Sequence, residues 1–209
     1  YSCKIVTFPK GNISIVEPAR QYAIDAASNP WVLVADADEI ITPALRNYLY
    51  ARITEEDCPD GISIPRKNYF MGRFMHSSYP DYILRFFRKE KTKWPPIIHT
   101  SPIVDGTICK IPSKKQELAF EHLANDTITD ILRKNNTYSN YEVMRRKDKQ
   151  YGIIHLFIKP IFRTFKGYVL KGGYKDGLPG VIYTLLLGVY QFMVVAKVME
   201  HKKIQHNSH

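Results

Sequence analysis

Cysteine is scarce: Cys3, Cys58 and Cys109 are the three among 209 residues. They share no metal-type spacing and cannot all pair, which excludes a disulfide scaffold and fits a reducing compartment. Acidic residues are the second shortage, 20 against 30 Lys and Arg, for a net charge of +10. The deficit is local. From Arg133 to Lys175, eleven cations meet only Glu142 and Asp148, so this block carries +9 of the total and the first two thirds are nearly neutral. A basic balance of this size is compatible with nucleic acid, a membrane surface or phosphorylated substrates. The third absence is of charge altogether: Gly177 to Ala196 holds no Asp, Glu, Lys or Arg. There is also no starting Met and no signal peptide. The opening Tyr1 to Phe8 reads like the middle of a domain, so an N-terminal part of the natural protein is expected to be absent. With 44% apolar and 24% charged residues the composition is that of a globular chain, not a disordered one.

Residues 4–8 alternate as a short strand would. Pro18 to Ala27 has helical spacing of Ala19, Tyr22, Ala23 and Ala26, with Asn29-Pro30 as a stop. Trp31 to Ala35 is a continuous apolar run, which reads as a strand buried on both faces in a parallel sheet. Thr42-Pro43 starts a helix with Leu45, Leu49 and Ile53 on one stripe. Gly61 to Pro65 and Tyr82 to Arg88 read as strands. The alternation of helices and strands predicts an α/β fold for residues 1–130.

Beyond Asp130 the pattern changes. Ile131 to Arg146 is helical and polar. Ile154, Phe157, Ile158, Ile161, Phe162, Phe165, Tyr168 and Val169 then form an apolar stripe opposite Lys159, Arg163 and Lys166, with an interruption expected near Pro160. Such a basic amphipathic helix either lies in a membrane interface or packs on a core with its cations solvated. The uncharged segment that follows approaches the roughly 20 residues that span a bilayer. Pro179, Gly180 and Gly188 favour an interfacial or re-entrant hairpin over a single spanning helix. Cations lie on both sides, so the positive-inside rule sets no orientation. Residues 131–209 are therefore expected to form a helical, membrane-associating region.

The most informative residues are Asp36-Ala37-Asp38-Glu39, at the end of the apolar run. Ligands of open α/β sheets bind at that edge. Alternation puts Asp36 and Asp38 on one side, where the two carboxylates repel unless a cation neutralises them. A divalent ion, Mg²⁺ or Mn²⁺, would suit these oxygens and would hold a diphosphate. The plainer reading is a solvated acidic turn that caps the next helix.

Asn29-Pro-Trp-Val-Leu-Val-Ala-Asp-Ala-Asp-Glu39 resembles the Asp-x-Asp region of family 2 glycosyltransferases of the GT-A fold. More narrowly, it resembles the lipopolysaccharide-core glycosyltransferases with a "WVLxLDADE" segment. Asp60 to Arg73 resembles the family's "DGY…PRRN…G" stretch, and Tyr79-Pro-Asp-Tyr-Ile-Leu-Arg-Phe-Phe-Arg88 its "PD…RLFRR" stretch. Ile98-His99 matches a "VH" pair, and Lys159-Pro160 to Lys197 the tail containing "DG…G". The chain departs from the pattern at Gln21, Ile83 and Thr100. The resemblance spans nearly the whole chain and implies an N-terminally truncated GT-A, Rossmann-like mixed sheet. The family's first strand and its base-recognising Asp would lie upstream of Tyr1.

The implied activity is inverting transfer of a sugar from a nucleotide-sugar donor to a lipopolysaccharide-core, capsule or other lipid-linked glycan. The setting would be the anionic cytoplasmic face of the inner membrane. Asp81 takes the place of the catalytic base, the plainer reading being a turn acid paired with Arg85. Arg20, Asp36, Gly72 and Arg73 fall on the donor side. Asp36, Asp38 and His122 are the metal candidates, with His99 as the alternative histidine, while His99 and Arg85 also fall toward the acceptor. His76 and Tyr79 are weaker acceptor-side candidates. Two other readings compete. One is a non-catalytic membrane module derived from the same fold. The other is a nucleic-acid binder, disfavoured because the cations flank apolar surface and not an exposed aromatic platform.

Overall fold

The computed structural model describes residues 3–9, 16–97, 100–123 and 127–207. They fall into two compact units, one of residues 1–67 and 80–122, the other of residues 68–79 and 123–209. Residues 68–79 therefore group with the C-terminal helices and not with the strands that flank them in sequence.

The first unit is built on a mixed sheet. α1 (Glu17–Ala26) opens with Pro18 in its first turn, where a missing N–H costs nothing. β1 (Trp31–Leu33) follows, then β2 (Glu39–Ile40) and α2 (Pro43–Arg52). Thr42 caps α2 by accepting from the Leu45 N–H at 3.1 Å. β3 (Gly61–Phe70) is the centre of the sheet. β4 (Arg73–Phe74) belongs to the other unit, and β5 (Asp81–Arg88), β6 (Thr92–Lys93), β7 (Ile103–Val104), β8 (Ile108–Lys110) and β9 (Phe120–His122) complete the strands of the first. The order is β1-β5-β3-β9-β2, with β8 parallel to the start of β3 and β4 paired to its end; β6 and β7 form a separate ribbon. The fold is thus mixed α/β, in keeping with the class expected.

Both faces of the sheet are covered, and adjacent phenylalanines of β5 show how. Phe86 joins Leu45, Leu49, Ile62, Ile64, Ile111, Leu118 and Phe120 on the side of α2. Phe87 joins Ile24 of α1 and Trp94 on the other side. Side chains alternate along a strand, so one dipeptide feeds two cores. The β1 run divides the same way, Trp31 and Leu33 toward the first cluster and Val32 and Val34 toward the second. Its continuous apolarity does mark a two-faced strand. The expected parallel setting is wrong: β1 pairs antiparallel with β5, Trp31 opposite Arg88, and is only partly buried. An apolar run reports burial on two faces, not strand direction. Residues 4–8 make no strand either; Ile5 is 86% exposed, and alternation without a partner ladder does not hold a strand.

The second unit is helical. α3 (Ile128–Arg145) begins with a capping box in which the Thr127 hydroxyl accepts from Asp130 N–H. α4 (Ile153–Phe165) runs straight through Pro160, which removes a single backbone bond, so the expected interruption is absent. It continues into a π turn, residues 166–170, closed by Lys171 N–H to Lys166 C=O and followed by left-handed Gly172. α5 (Gly177–Asn207) is one continuous helix, which overturns the expected hairpin. Pro179 sits in its first turn, where it is tolerated. Gly188 faces Thr164 and the Pro160 carbonyl of α4, and a Cβ there would collide. The two glycines expected to break the segment instead let backbone approach backbone.

By length and composition α5 could cross a membrane. Its second half is nevertheless tied to the polar α3. Lys197 Nζ donates to Asn136 C=O, Asn136 Oδ1, Ser139 Oγ and Asn140 Oδ1 at 2.6–2.9 Å. The segment 68–79 is pinned by Asp176, whose buried carboxylate accepts from the N–H groups of His76 and Ser77 and contacts His76 Nδ1 at 2.8 Å.

Candidate functional site

At one edge of the first unit's sheet the chain assembles a series of carboxylates and guanidiniums. Asp36 leaves β1 and receives two arginines: Arg20 of α1 on Oδ1 at 2.6 Å and Arg85 of β5 on Oδ2 at 2.8 Å. Both guanidiniums also stand over the Trp94 ring, 5.0 and 5.5 Å from its centroid. Glu39, buried, accepts from the Asp36 N–H at 2.9 Å and from Arg66 Nη1 at 3.0 Å. Arg66 of β3 then reaches Asp81 Oδ2 through Nε at 3.0 Å and Nη2 at 2.7 Å. This last pair is a cross-strand partnership, because Arg66 and Asp81 are opposite one another between β3 and β5.

The charges hold one another. Burial opposes ionisation of Asp36, but Arg85 and Arg20 outweigh it and keep its carboxyl below the ordinary carboxylate value. Arg85 is pushed below its ordinary value, first by burial and then by neighbouring Arg20, against the pull of Asp36. Burial also acts against Arg66, and Asp81 and Glu39 reverse it and raise its pKa. Two buried donors in the same region, Arg85 Nη1 and Trp94 Nε1, have no hydrogen-bond partner among the described residues. An orphaned buried donor is costly, and donors aimed beside a cation suit an anionic ligand.

The expected metal trio does not converge as a trio. Asp36 and Asp38 diverge, since the chain turns at residues 37–38 and does not continue the alternation of a strand. Asp36 is occupied by arginines. Asp38 instead meets His122 of β9, with Oδ2 3.2 Å from Nε2. β2 and β9 bring this pair about: Glu39 and His122 are register partners. Among the described residues no three His, Cys, Asp or Glu side chains are grouped to hold a metal. Asp38 and His122 offer one carboxylate oxygen donor and one imidazole nitrogen donor side by side.

Arg20, Asp36, Arg85 and Asp81 thus belong to one connected network through Glu39 and Arg66, with the Asp38–His122 pair adjoining it at Glu39, the register partner of His122. Gly72 and Arg73 fall in the other unit. Gly72, with φ of 72°, and Met71, with φ of 51°, make the two-residue turn between β3 and β4. Arg73 packs over Gly177. His76 is held by Asp176, and Tyr79 packs edge-on against Phe74. His99 lies outside the described residues. The plainer pairing of Asp81 with Arg85 is not formed. No site role is legible in the sequence for Glu39, Arg66 or Trp94, nor for Gln21, whose Oε1 accepts from the Trp94 N–H at 2.6 Å. Arg66 could have been found as the residue opposite Asp81 once β3 and β5 were taken as a pair.

The chain is similar to the lipopolysaccharide core biosynthesis glycosyltransferase LpsC of Rhizobium meliloti (strain 1021). The two are 24% identical over 195 residues, which is 89% of this chain and 70% of the relative. No protein-family model matches the sequence. No solved structure matches it.

Proposed function

We propose that the chain is an inverting, family 2 glycosyltransferase of the GT-A type, acting from a nucleotide-sugar donor on a lipid-linked glycan of the lipopolysaccharide-core class. The observation that carries this reading is the network at the sheet edge, Asp36 on two arginines and Asp38 on His122, in a chain related over 89% of its length to a lipopolysaccharide core glycosyltransferase.

Inverting transfer needs a stabilised diphosphate leaving group, an acceptor hydroxyl and a base. Arg20 and Arg85 supply positive charge where phosphate oxygens gain negative charge, and the unpartnered donors of Arg85 and Trp94 add hydrogen bonds. Asp81 takes the hydroxyl proton as the acceptor oxygen attacks the anomeric carbon and the bond to the diphosphate breaks. Arg66 positions Asp81, and Glu39 positions Arg66. A Mg²⁺ or Mn²⁺ ion held by Asp38 and His122 would offset charge on the departing nucleoside diphosphate.

The second unit supplies the membrane surface contact. Along α4, Ile154, Phe157, Ile158, Ile161, Phe162 and Phe165 are all more than half or about half exposed. An apolar groove of about 740 Å³ runs between Ile161 and Phe165 of α4 and Val181, Leu185, Val189 and Phe192 of α5. A continuous apolar face with a cationic flank suits the interface of an anionic bilayer. The anchoring of α5 to polar α3 through Lys197 favours a peripheral or monotopic placement over a full span.

The test is titration of full-length protein with nucleoside diphosphates and nucleotide sugars, with Mn²⁺ or with chelator. Wild type should bind at least tenfold more tightly with Mn²⁺, and Asp38→Asn should lose that difference while still unfolding cooperatively. Metal-dependent affinity that survives in Asp38→Asn would reject the assignment.

A further inference from the structure

In the second unit a small pocket of about 80 Å³ is lined by Arg163, Lys166 and Lys171, with Ser77, Ser78 and Tyr183. The three cations arrive there for a local reason. Arg163 and Lys166 are three residues apart, on one face of the helix. The π turn then stacks Lys171 over Lys166, its N–H bonded to the Lys166 carbonyl at 3.0 Å. π turns are rare and recur at functional sites. Gly172, with φ of 74°, ends the turn and leaves Lys171 at the pocket.

None of the three cations has a carboxylate within ion-pair distance among the described residues. Asp176, which holds the pocket residue Ser77, is fully buried and already takes bonds from His76 and Ser77. Four other cations of this unit are engaged: Arg145 and Arg146 with Glu142, Arg133 with Asp130, Lys197 with α3. Clustering three like charges around a concave pocket is unfavourable unless an anion compensates them. The volume suits one phosphate group.

We propose that this pocket binds a phosphate group, as a monoester dianion in preference to a diester, presented by an acidic lipid at the membrane surface. A monoester carries about −1.5 to −2 at pH 7 and offers three acceptor oxygens, whereas a diester carries a single negative charge. Arg163 supplies a planar fork of donors, and the two lysines add point charge. The source of the phosphate rests on the membrane reading above; the pocket itself does not.

The experiment compares full-length protein on phosphatidylcholine vesicles doped with phosphatidate or, at matched surface charge, with phosphatidylglycerol. Soluble glycerol 3-phosphate is titrated in parallel. Wild type should prefer phosphatidate about five- to tenfold. Lys166→Gln with Lys171→Gln should abolish that preference, while Lys159→Gln with Lys175→Gln, the same charge removed outside the pocket, should keep it. Equal binding to the two lipids, or equal loss in both double variants, would overturn the pocket. If no vesicle is bound at all, the membrane reading fails by itself. Glycerol 3-phosphate binding that disappears only in the Lys166/Lys171 variant would then still support the pocket, and its absence in wild type would overturn it.

Discussion

In the unit of residues 1–67 and 80–122, Arg20, Arg66 and Arg85 each face a carboxylate at 2.6–3.0 Å, and the acids in turn face more than one donor. In the unit of residues 68–79 and 123–209, Arg163, Lys166 and Lys171 face no carboxylate among the described residues, and the apolar side of their helix is exposed. The first arrangement is neutralised from within and can hold side chains in fixed geometry. The second is left to be neutralised from outside. The same residue types therefore sit in different surroundings, and counting cations could not separate a self-neutralised network from an uncompensated cluster.

The largest expected effect breaks the network at its acid. Asp81→Asn preserves size and removes the proposed base. Turnover should fall by about 10²- to 10⁴-fold, with nucleotide affinity changed less than about twofold. Lost nucleotide binding, measured by titration, would move Asp81 to the donor site.

The next break is in the other unit. Phe157→Ser with Ile161→Ser removes two side chains that are 62% and 66% exposed, so the fold should be unaffected. Each would give up about 1.5–3 kcal/mol of burial in a bilayer at most, and flotation with anionic vesicles should drop by roughly tenfold or more. Unchanged flotation would remove α4 from the attachment surface.

Stability sharpens the contrast. Arg85→Ala leaves Asp36 with one of its two arginines and should cost about 1–3 kcal/mol, allowing for the partial exposure of that carboxylate. Arg163→Ala, which breaks no ion pair, should stay within about 0.5 kcal/mol. Denaturant melts of the two variants compare the regions directly, and equal losses would erase the distinction.

The smallest effect is a pH dependence. The Asp60 carboxyl is held below its ordinary value of 3.8, first by the Lys91 ammonium and then by the Thr107 N–H. A depressed acid contributes stability that is fully present above its unfolded value and is lost as pH falls through the lower folded value. Melts of wild type should therefore decline below about pH 4, and Asp60→Asn should flatten part of that slope.

The sequence made α2, β3 and β5 legible because cap, stripe and alternation agree locally. It also marked the sheet edge, since Asp36 and Asp38 follow an apolar run. What it could not show was partnership. Asp81 and Arg85 are four residues apart and seem a natural pair, but strand register sets Asp81 against Arg66 and sends Arg85 to Asp36. Asp38 meets His122, 84 positions away, through the β2–β9 ladder. Gly180 and Gly188 misled for a related reason: a glycine in a helix reads as a break until what it packs against is known, here the Gly173 carbonyl for Gly180 and α4 for Gly188.

The most direct measurement is single-turnover transfer by the full-length protein from a labelled nucleotide sugar to a lipid-linked core glycan, with the anomeric configuration of the product read by NMR. Inverting transfer with Asp81 as the base predicts a product inverted relative to the donor, formed by wild type and not detectably by Asp81→Asn. Retained configuration, or near-normal transfer by Asp81→Asn, would contradict it.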